Sequence, residues 1–295
     1  MRTIARSAVE SAHRSLDQLG ETPLWCDKER VLWWLDIEKP TLHRLDPATG
    51  QHDARAFETQ FLGSLALAGH DEKLIATDLT LNRLAVDGTL DPMLEVDAGL
   101  DNRLNDGRVD PSGRFWVGTM DNQLHRPNGK LYRIDADGTA HAMIDDVIVS
   151  NGIAFSPDGG TGYFTDTRRH ISWRLTIDPD DGAIIGREVF ADYSRTGDRP
   201  DGATIDAEGC LWQAFFAGSR IVRYAPDGRI DTVVEMPVTN PTCLCFGGPD
   251  FRTLYVTTAR KFLSDNQLAA EPLAGSLLAV EGIGQGVAEH RFVFS

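Results

Sequence analysis

A short apolar segment recurs six times along the chain at nearly constant spacing. The copies cover residues 32–36 (LWWLD), 74–78 (LIATD), 115–119 (FWVGT), 162–166 (GYFTD), 211–215 (LWQAF) and 254–258 (LYVTT). Subtracting successive first residues gives gaps of 42, 41, 47, 49 and 43. Further hydrophobic runs and Asp/Gly turns fill the period, so each repeat holds about four short strands, the unit of a β-propeller blade. The sequence predicts an all-β, six-bladed β-propeller with four antiparallel strands per blade, forming one domain over residues 1–295.

The charge of the chain limits its partners. It has 44 Asp and Glu against 29 Lys and Arg, a formal net charge of −15. Nucleic-acid binding draws on clustered Lys and Arg, so we expect no nucleic-acid partner. Residues 1–17 contain charges and no sustained apolar run. We therefore expect neither a signal peptide nor a membrane anchor, and a cytoplasmic monomer with four reduced structural cysteines.

The repeat also predicts how the blades pack and close. Trp33, Trp116 and Trp212 share one repeat position, where large aromatic rings contribute buried area between blades. For closure, we expect the segment at residues 4–12 to pair beside a C-terminal strand at residues 290–294.

Counting back 10 or 11 residues from each segment gives the equivalent position on the preceding strand, which should line a central channel. These positions are Glu21, Gly63, Asn105, Asn151, Asp201 and Cys243. Four of the six have side-chain oxygens, and buried anions are costly unless a positive charge balances them. A divalent cation held by Glu21, Asn151 and Asp201 is one solution, with Ca²⁺, Mg²⁺ or Mn²⁺ preferred and Zn²⁺ or Fe²⁺ tolerated. The alternative is that these residues cap strand ends by bonding backbone groups.

Five stretches of the chain resemble the SMP-30/gluconolactonase family, whose members include regucalcin-like proteins and sugar lactone hydrolases. The matching stretches are residues 20–25 (GETPLW), 102–120 (NRLNDGRVDPSGRFWVGTM), 150–158 (SNGIAFSPD), 200–212 (PDGATIDAEGCLW) and 245–260, which contain CFGG and LYVTTAR. The resemblance implies a six-bladed propeller with a metal in its central channel. It assigns the metal ligands to Glu21, Asn151 and Asp201, and substrate binding to Arg103 and Asn105.

Two departures from the family pattern bear on the site. Thr22 replaces a glycine of the family's GEGP motif, which we expect to narrow the approach to the first ligand. Some relatives also have a glutamate that contacts substrate in a longer acidic loop after the GTM motif. Asp121 is the best replacement in this chain, and a plain turn role is equally open.

The resemblance predicts metal-dependent hydrolysis of a 1,4- or 1,5-aldonolactone to the free aldonic acid. A metal can polarise the lactone carbonyl and activate water, so no Ser or Cys nucleophile is needed. Asp201 either transfers the proton of the attacking water or only orients a metal-bound hydroxide. Arg103 and Asn105 offer donors and acceptors suited to a polyol. Two alternatives remain: a calcium- or ligand-binding propeller without turnover, and a lactonase or esterase for non-sugar lactones.

Overall fold

The computed structural model of the chain describes residues 1–295, apart from the side chain of His70. Nearly all of its regular structure is β-strand, and one short helix, α1, spans Asp265–Ala270. The strands are β1 (Arg2–Ile4), β2 (Glu10–His13), β3 (Gly20–Cys26), β4 (Val31–Asp36), β5 (Thr41–Leu45), β6 (His52–Ala56), β7 (Leu62–Leu67), β8 (Lys73–Thr77), β9 (Thr80–Leu84), β10 (Leu90–Glu95), β11 (Asn102–Val109), β12 (Phe115–Asp121), β13 (Gly129–Ile134), β14 (Ala140–Val147), β15 (Ser150–Phe155), β16 (Thr161–Asp166), β17 (Ile171–Ile177), β18 (Ile184–Asp192), β19 (Arg199–Ile205), β20 (Leu211–Phe216), β21 (Arg220–Tyr224), β22 (Ile230–Glu235), β23 (Pro241–Gly247), β24 (Thr253–Thr258) and β25 (Leu277–Glu281).

The strands form six sheets, and the fold is the six-bladed β-propeller that the repeat predicts. Five blades take four consecutive strands each, beginning at β3, β7, β11, β15 and β19, and the last is ordered β23-β24-β25-β2. The four strands of each blade pair in antiparallel fashion, and β1 joins the blade of β19 as a fifth strand, parallel to β22. The six repeated segments fall in the second strands β4, β8, β12, β16, β20 and β24, and the positions counted back from them fall in the first strands.

The blades group into two compact units. Unit 1 comprises residues 1–58 and 198–288, and its first strands are β3, β19 and β23, with β23 packed against both of the others. Unit 2 comprises residues 59–197 and 289–295, and in it β11 packs against β7 and β15. Whether the whole chain behaves as one domain remains a prediction.

The closure prediction is wrong. The N-terminal segment supplies β1, which runs parallel to β22, and β2, which pairs antiparallel with β25 at residues 277–281 instead of with residues 290–294. The C-terminal segment instead packs in unit 2, where the Phe292 N–H donates to the Leu67 carbonyl at 2.8 Å. The physical reason is apolar burial: Phe292 is fully buried in a cluster that includes Leu74 and Phe115.

The tryptophan prediction is confirmed at two of its three positions. Trp116 is buried against Phe155 of the next blade at 5.5 Å between ring centroids, and Trp212 against Phe246 at 5.6 Å. Trp33 is only partly buried, whereas its chain neighbour Trp34 is fully buried.

The cysteines and the helix content add two observations. Cys26, Cys210, Cys243 and Cys245 are all buried, and no disulfide links them in the described part of the chain. A search of the described residues finds no helix with the length and apolar character that crossing a membrane requires.

Candidate active site

The pairing between first and second strands is irregular at or beside every position that the repeat predicts. Register shifts fall between Glu21 and Leu24, Leu62 and Ser64, Leu104 and Gly107, Asn151 and Ala154, Pro200 and Ala203, and Pro241 and Leu244. A β-bulge bends its strand and redirects the side chains next to it. The six first strands therefore share one local distortion, and the candidate ligands lie at it.

Unit 1 contributes two buried carboxylates. Glu21 on β3 is 7% exposed and Asp201 on β19 is 6% exposed, and these two strands flank β23. The Asp201 carbonyl accepts a hydrogen bond from the buried amide of Gln213, which fixes the backbone of β19 at that point. A Cβ atom on Gly202 would lie 2.4 Å from the Cys243 sulfur, so only glycine lets β19 approach β23 this closely.

Thr22, which stands where the family motif has glycine, takes a backbone conformation that suits glycine. Thr22 has a φ of 48°, in the left-handed region that favours glycine, and it is 2% exposed. Its N–H donates to Glu21 Oε2 at 3.1 Å, while its hydroxyl has no hydrogen-bond partner in the described structure. The chain therefore holds a left-handed backbone at Thr22 at some cost in strain.

Unit 2 contributes a continuous chain of hydrogen bonds among predicted site residues. Arg103 Nη1 donates to Asn105 Oδ1, Asn105 Nδ2 donates to Asn151 Oδ1 at 2.8 Å, and Asn151 Nδ2 donates to Thr167 Oγ1 at 2.8 Å. Asn105 Nδ2 also donates to the Ser150 carbonyl at 2.7 Å. Donors and acceptors linked in series polarise one another, so this chain orients both amides. It brings together Arg103 and Asn105, two of the three residues predicted to bind substrate, and one predicted metal ligand, Asn151.

The surroundings of Arg103 are apolar and crowded. The guanidinium is 6% exposed, lies 5.5 Å from the Phe61 ring centroid and donates to the Leu104 carbonyl at 3.0 Å. An arginine held this way is preorganised, because little side-chain freedom remains to be lost when it binds a ligand.

Asp121 is fully buried and organises its own loop. Its carboxylate accepts from the backbone N–H groups of His125 and Arg126 at 3.0 and 2.8 Å and from the Arg126 guanidinium. Burial opposes ionisation, but these hydrogen bonds, led by that of Arg126, hold the pKa of Asp121 below its usual range. The contacts describe the turn role; the substrate role remains a prediction.

Sequence reasoning missed a set of aspartates that secure the loops before the first strands. Asp36 accepts from the Gln18 N–H at 2.7 Å, Asp78 from Phe61 at 2.8 Å, and Asp166 from Ile148 at 2.9 Å. The signal was present, because the repeated segment ends in aspartate in three of its six copies. These residues set where each first strand begins.

Asp106, next to Asn105, was also missed. Its Oδ2 accepts from the Ile153 N–H at 2.8 Å and so ties β11 to β15. Burial raises the pKa of Asp106.

A second acidic cluster, formed by Asp206, Glu208 and Cys210, already has a cationic partner. Arg223 donates to Asp206 at 2.7 Å, to Asp231 at 2.8 Å and to Glu208. Burial, with the nearby charge of Asp206, raises the pKa of the Cys210 thiol to about 11. The cluster is a salt-bridge network, since the arginine occupies the place that a cation would need.

Comparison with known proteins places the chain in a family. The model of the SMP-30/gluconolactonase/LRE-like region matches residues 19–260. The chain is 41% identical to a 6-deoxy-6-sulfogluconolactonase of Pseudomonas putida, over 93% of this chain and 94% of that one. It is 36% identical to a pentonolactonase of Haloferax volcanii, over 82% of each.

Among solved structures, the calcium-binding protein regucalcin of Agrobacterium tumefaciens has a TM-score of 0.94 with this protein. It is 32% identical, and the match covers 99% of both chains. Its similarity extends over all six blades, including the strands that carry Glu21, Asn105, Asn151 and Asp201. By sequence and by fold, the chain belongs to the SMP-30/gluconolactonase/LRE-like family.

Proposed function

We propose that the protein hydrolyses sugar-acid lactones of the 1,4 or 1,5 type to the free aldonic acids, with the help of one divalent cation. The observation that supports the proposal is the hydrogen-bonded chain from Arg103 through Asn105 to Asn151, which joins the two residues proposed to bind the sugar to a proposed cation ligand. The relatives named sulfogluconolactonase and pentonolactonase act on lactones of this class by their names.

The cation would be held by Glu21, Asn151 and Asp201. Their chemistry fits, because two buried carboxylates and one carboxamide oxygen form the hard donor set that Ca²⁺, Mg²⁺ and Mn²⁺ prefer. Asn151 donates its Nδ2 hydrogen to Thr167, and its Oδ1 uses one lone pair for Asn105, so a second lone pair is available for a ligand. When bound, a divalent cation polarises a carbonyl oxygen and lowers the pKa of nearby water.

Arg103 and Asn105 would bind the hydroxyl groups of the sugar in different ways. Both Nδ2 hydrogens of Asn105 are used, by Ser150 and Asn151, so Asn105 would accept from a substrate hydroxyl through Oδ1. Arg103 would donate from its guanidinium fork. This division suits a polyol, whose hydroxyls both donate and accept.

Asp201 would transfer a proton from the attacking water to the leaving group. In the proposed step its carboxylate takes a proton from water as the water oxygen bonds to the carbonyl carbon of the lactone. The bond between that carbon and the ring oxygen then breaks, and the proton passes to the ring oxygen as it departs as an alkoxide. The Gln213 contact holds Asp201 in position for this exchange. Hydrolysis then consumes one water and releases the open hydroxy acid.

A lactone panel with removal and return of metal tests the proposal. Hydrolysis releases a proton at neutral pH, so turnover is followed by acidification of a weakly buffered solution. We expect activity on aldonolactones, its loss with a chelator and its recovery on adding a divalent cation. A protein that binds the cation but opens no lactone would favour the non-catalytic alternative, and turnover that is indifferent to the chelator would contradict the role of the metal.

A further inference from the structure

Arg199 is the repeat counterpart of Arg103. It lies two residues before Asp201 on β19, as Arg103 lies two residues before Asn105 on β11, and both strands bulge just afterwards. On β11 the bulge does not separate the equivalent pair, because Arg103 Nη1 donates to Asn105 Oδ1. A side chain at the Arg199 position can therefore reach the residue two positions later, which on β19 is Asp201. The position of Arg199 is that of a residue beside the proposed reaction site.

Arg199 differs from Arg103 in having no partner. It is exposed, and within the described residues it forms neither a hydrogen bond nor an ion pair. Its chain neighbour Asp198 is already paired with Arg220 at 2.8 Å. The guanidinium donors of Arg199 are therefore available to a ligand, which is notable in a chain with 44 acidic residues.

Two phenylalanines provide an apolar surface beside Arg199. Phe216, the last residue of β20, pairs directly with Arg199 across the hairpin. Phe262, in the connection from β24 to β25, lies edge-on to Phe216 at 6.2 Å between ring centroids and is 67% exposed. Because second strands end where first strands begin, both rings lie at the same end of their blades as Asp201.

The aromatic pair is rigidly built. Phe262 has a φ of 63°, a strained backbone for a bulky residue that persists only where its surroundings enforce it. The buried Asn240 accepts from the Ala217 N–H at 3.1 Å and donates to the Lys261 carbonyl at 2.9 Å, which ties the two loops together. The Lys261 N–H donates to the Gln18 carbonyl at 2.9 Å. The Lys261 ammonium lies 4.9 Å from the Phe262 ring centroid, and the rest of the ring faces solvent, where a ligand can contact it.

We propose that Arg199, Phe216 and Phe262 bind the exocyclic end of the lactone and select substrates with a negatively charged oxyanion there. A guanidinium pairs bidentately with sulfonate, carboxylate or phosphate oxygens, and the two rings pack against the C–H face of a sugar. This inference rests on the proposed lactonase function and names the substrate class within it. It uses a residue that the family pattern leaves unassigned.

The test compares glucono-1,5-lactone with its 6-deoxy-6-sulfo analogue, which differ only in the anionic group. We expect the wild type to prefer the sulfonated lactone. Arg199→Met should lower kcat/KM for that lactone about 10- to 100-fold, as loss of a charge-assisted hydrogen bond predicts, and leave the neutral lactone within about twofold. Phe262→Ala should weaken both substrates alike, because the apolar contact does not depend on the charge.

Arg229→Met is the matched control, since Arg229 is an exposed arginine of the same unit in the turn between β21 and β22. That turn lies at the opposite end of the strands. Arg229→Met should change neither substrate. The proposal is overturned if Arg199→Met affects both lactones equally or affects neither, or if the wild type shows no preference.

A binding measurement separates this proposal from the proposed function. If the wild type opens neither lactone, the lactonase proposal fails, and calorimetry with 6-deoxy-6-sulfogluconate and gluconate still decides the role of Arg199. A preference for the sulfonated acid that disappears in Arg199→Met would support it. Equal affinities for the two acids in the wild type would refute it.

Discussion

Two strand starts, at β11 in unit 2 and β19 in unit 1, occupy the same place in the repeat and have opposite surroundings. At β11, Arg103 is buried, and its hydrogen bonds lead into a chain of amides. At β19, Arg199 is exposed and has no partner in the described structure, and the buried group beside it is the Asp201 carboxylate. The repeat therefore fixes where a side chain lies, whereas the neighbouring strands decide what it can do.

The substitution that we expect to lower activity most is at Asp201. Asp201→Asn keeps the size and shape of the side chain but removes the proton acceptor, so we expect kcat to fall by about 10²–10⁴. The thermal midpoint should remain close to that of the wild type, measured by circular dichroism. Asp227→Asn, in an exposed Asp/Gly turn, is the control and should leave kcat unchanged. Full activity in Asp201→Asn would remove the carboxylate from the reaction.

The two arginines should differ in their contribution to stability. Arg103→Met leaves the buried Asn105 Oδ1 without its donor, which costs about 1–3 kcal/mol of unfolding free energy and raises KM for neutral aldonolactones. Arg199→Met removes an exposed side chain, so the change should stay within about 0.5 kcal/mol. Denaturant titration of the two variants measures both changes in the free energy of unfolding. Equal losses would show that the repeat position itself, and not the contacts of each arginine, determines stability.

The sequence predicted positions well because blade length and strand alternation are local properties. The six apolar segments mark second strands, and counting back from them places Glu21, Asn105, Asn151 and Asp201 on first strands. The expected inter-blade packing of Trp116 and Trp212 follows from the same count.

The features that the sequence did not predict depend on how two separate segments of the chain pair. The bulges arise from unequal residue counts on two paired strands, which a single-strand pattern does not reveal. The partner of β2 depends on the connection between β24 and β25, which places β25, the strand that β2 pairs with, at residues 277–281. Arg126 reaches the Asp121 carboxylate only because the loop between them curls back, as its contacts show.

Unit 1 contains a cluster of histidines that should make its stability depend on pH. His13 stacks on His52 at 3.9 Å between ring centroids, and His43 Nδ1 lies 3.1 Å from His52 Nε2. Burial, then the charges of His13 and His43, lower the pKa of His52 to about 4, while Asp17 and Asp53 oppose the shift. Burial also lowers the pKa of His13. His52 is therefore neutral at pH 7.

Acidification should loosen this cluster. In the unfolded chain His52 binds a proton at the ordinary histidine pKa of about 6.5, whereas in the folded chain it binds one only near pH 4. The contribution of neutral His52 to the free energy of unfolding is therefore complete above pH 6.5 and is lost as the pH falls toward 4. After allowance for solvent screening, we expect the free energy of unfolding to fall by about 1 kcal/mol between pH 7 and pH 5. His52→Gln should flatten this dependence, and His290→Gln in unit 2 should not. An unchanged slope in His52→Gln would exclude the cluster as its source.

The smallest expected effect sharpens the comparison within β3, where Thr22 takes a backbone conformation that suits glycine. Thr22 destabilises the folded chain in two ways: a left-handed backbone costs a residue other than glycine about 1–2 kcal/mol, and a buried hydroxyl without a partner costs about 1–3 kcal/mol. Glycine avoids both costs but loses about 0.5–1 kcal/mol in backbone entropy on folding. Allowing also for the lost methyl contacts, Thr22→Gly should raise the unfolding free energy by about 1 kcal/mol. Thr22→Ala removes the hydroxyl but keeps the strained φ, so it should gain less. If both variants are destabilised in denaturant titrations, the Thr22 hydroxyl has a partner in solution, and its position next to Glu21 would make bound water or substrate the first candidates.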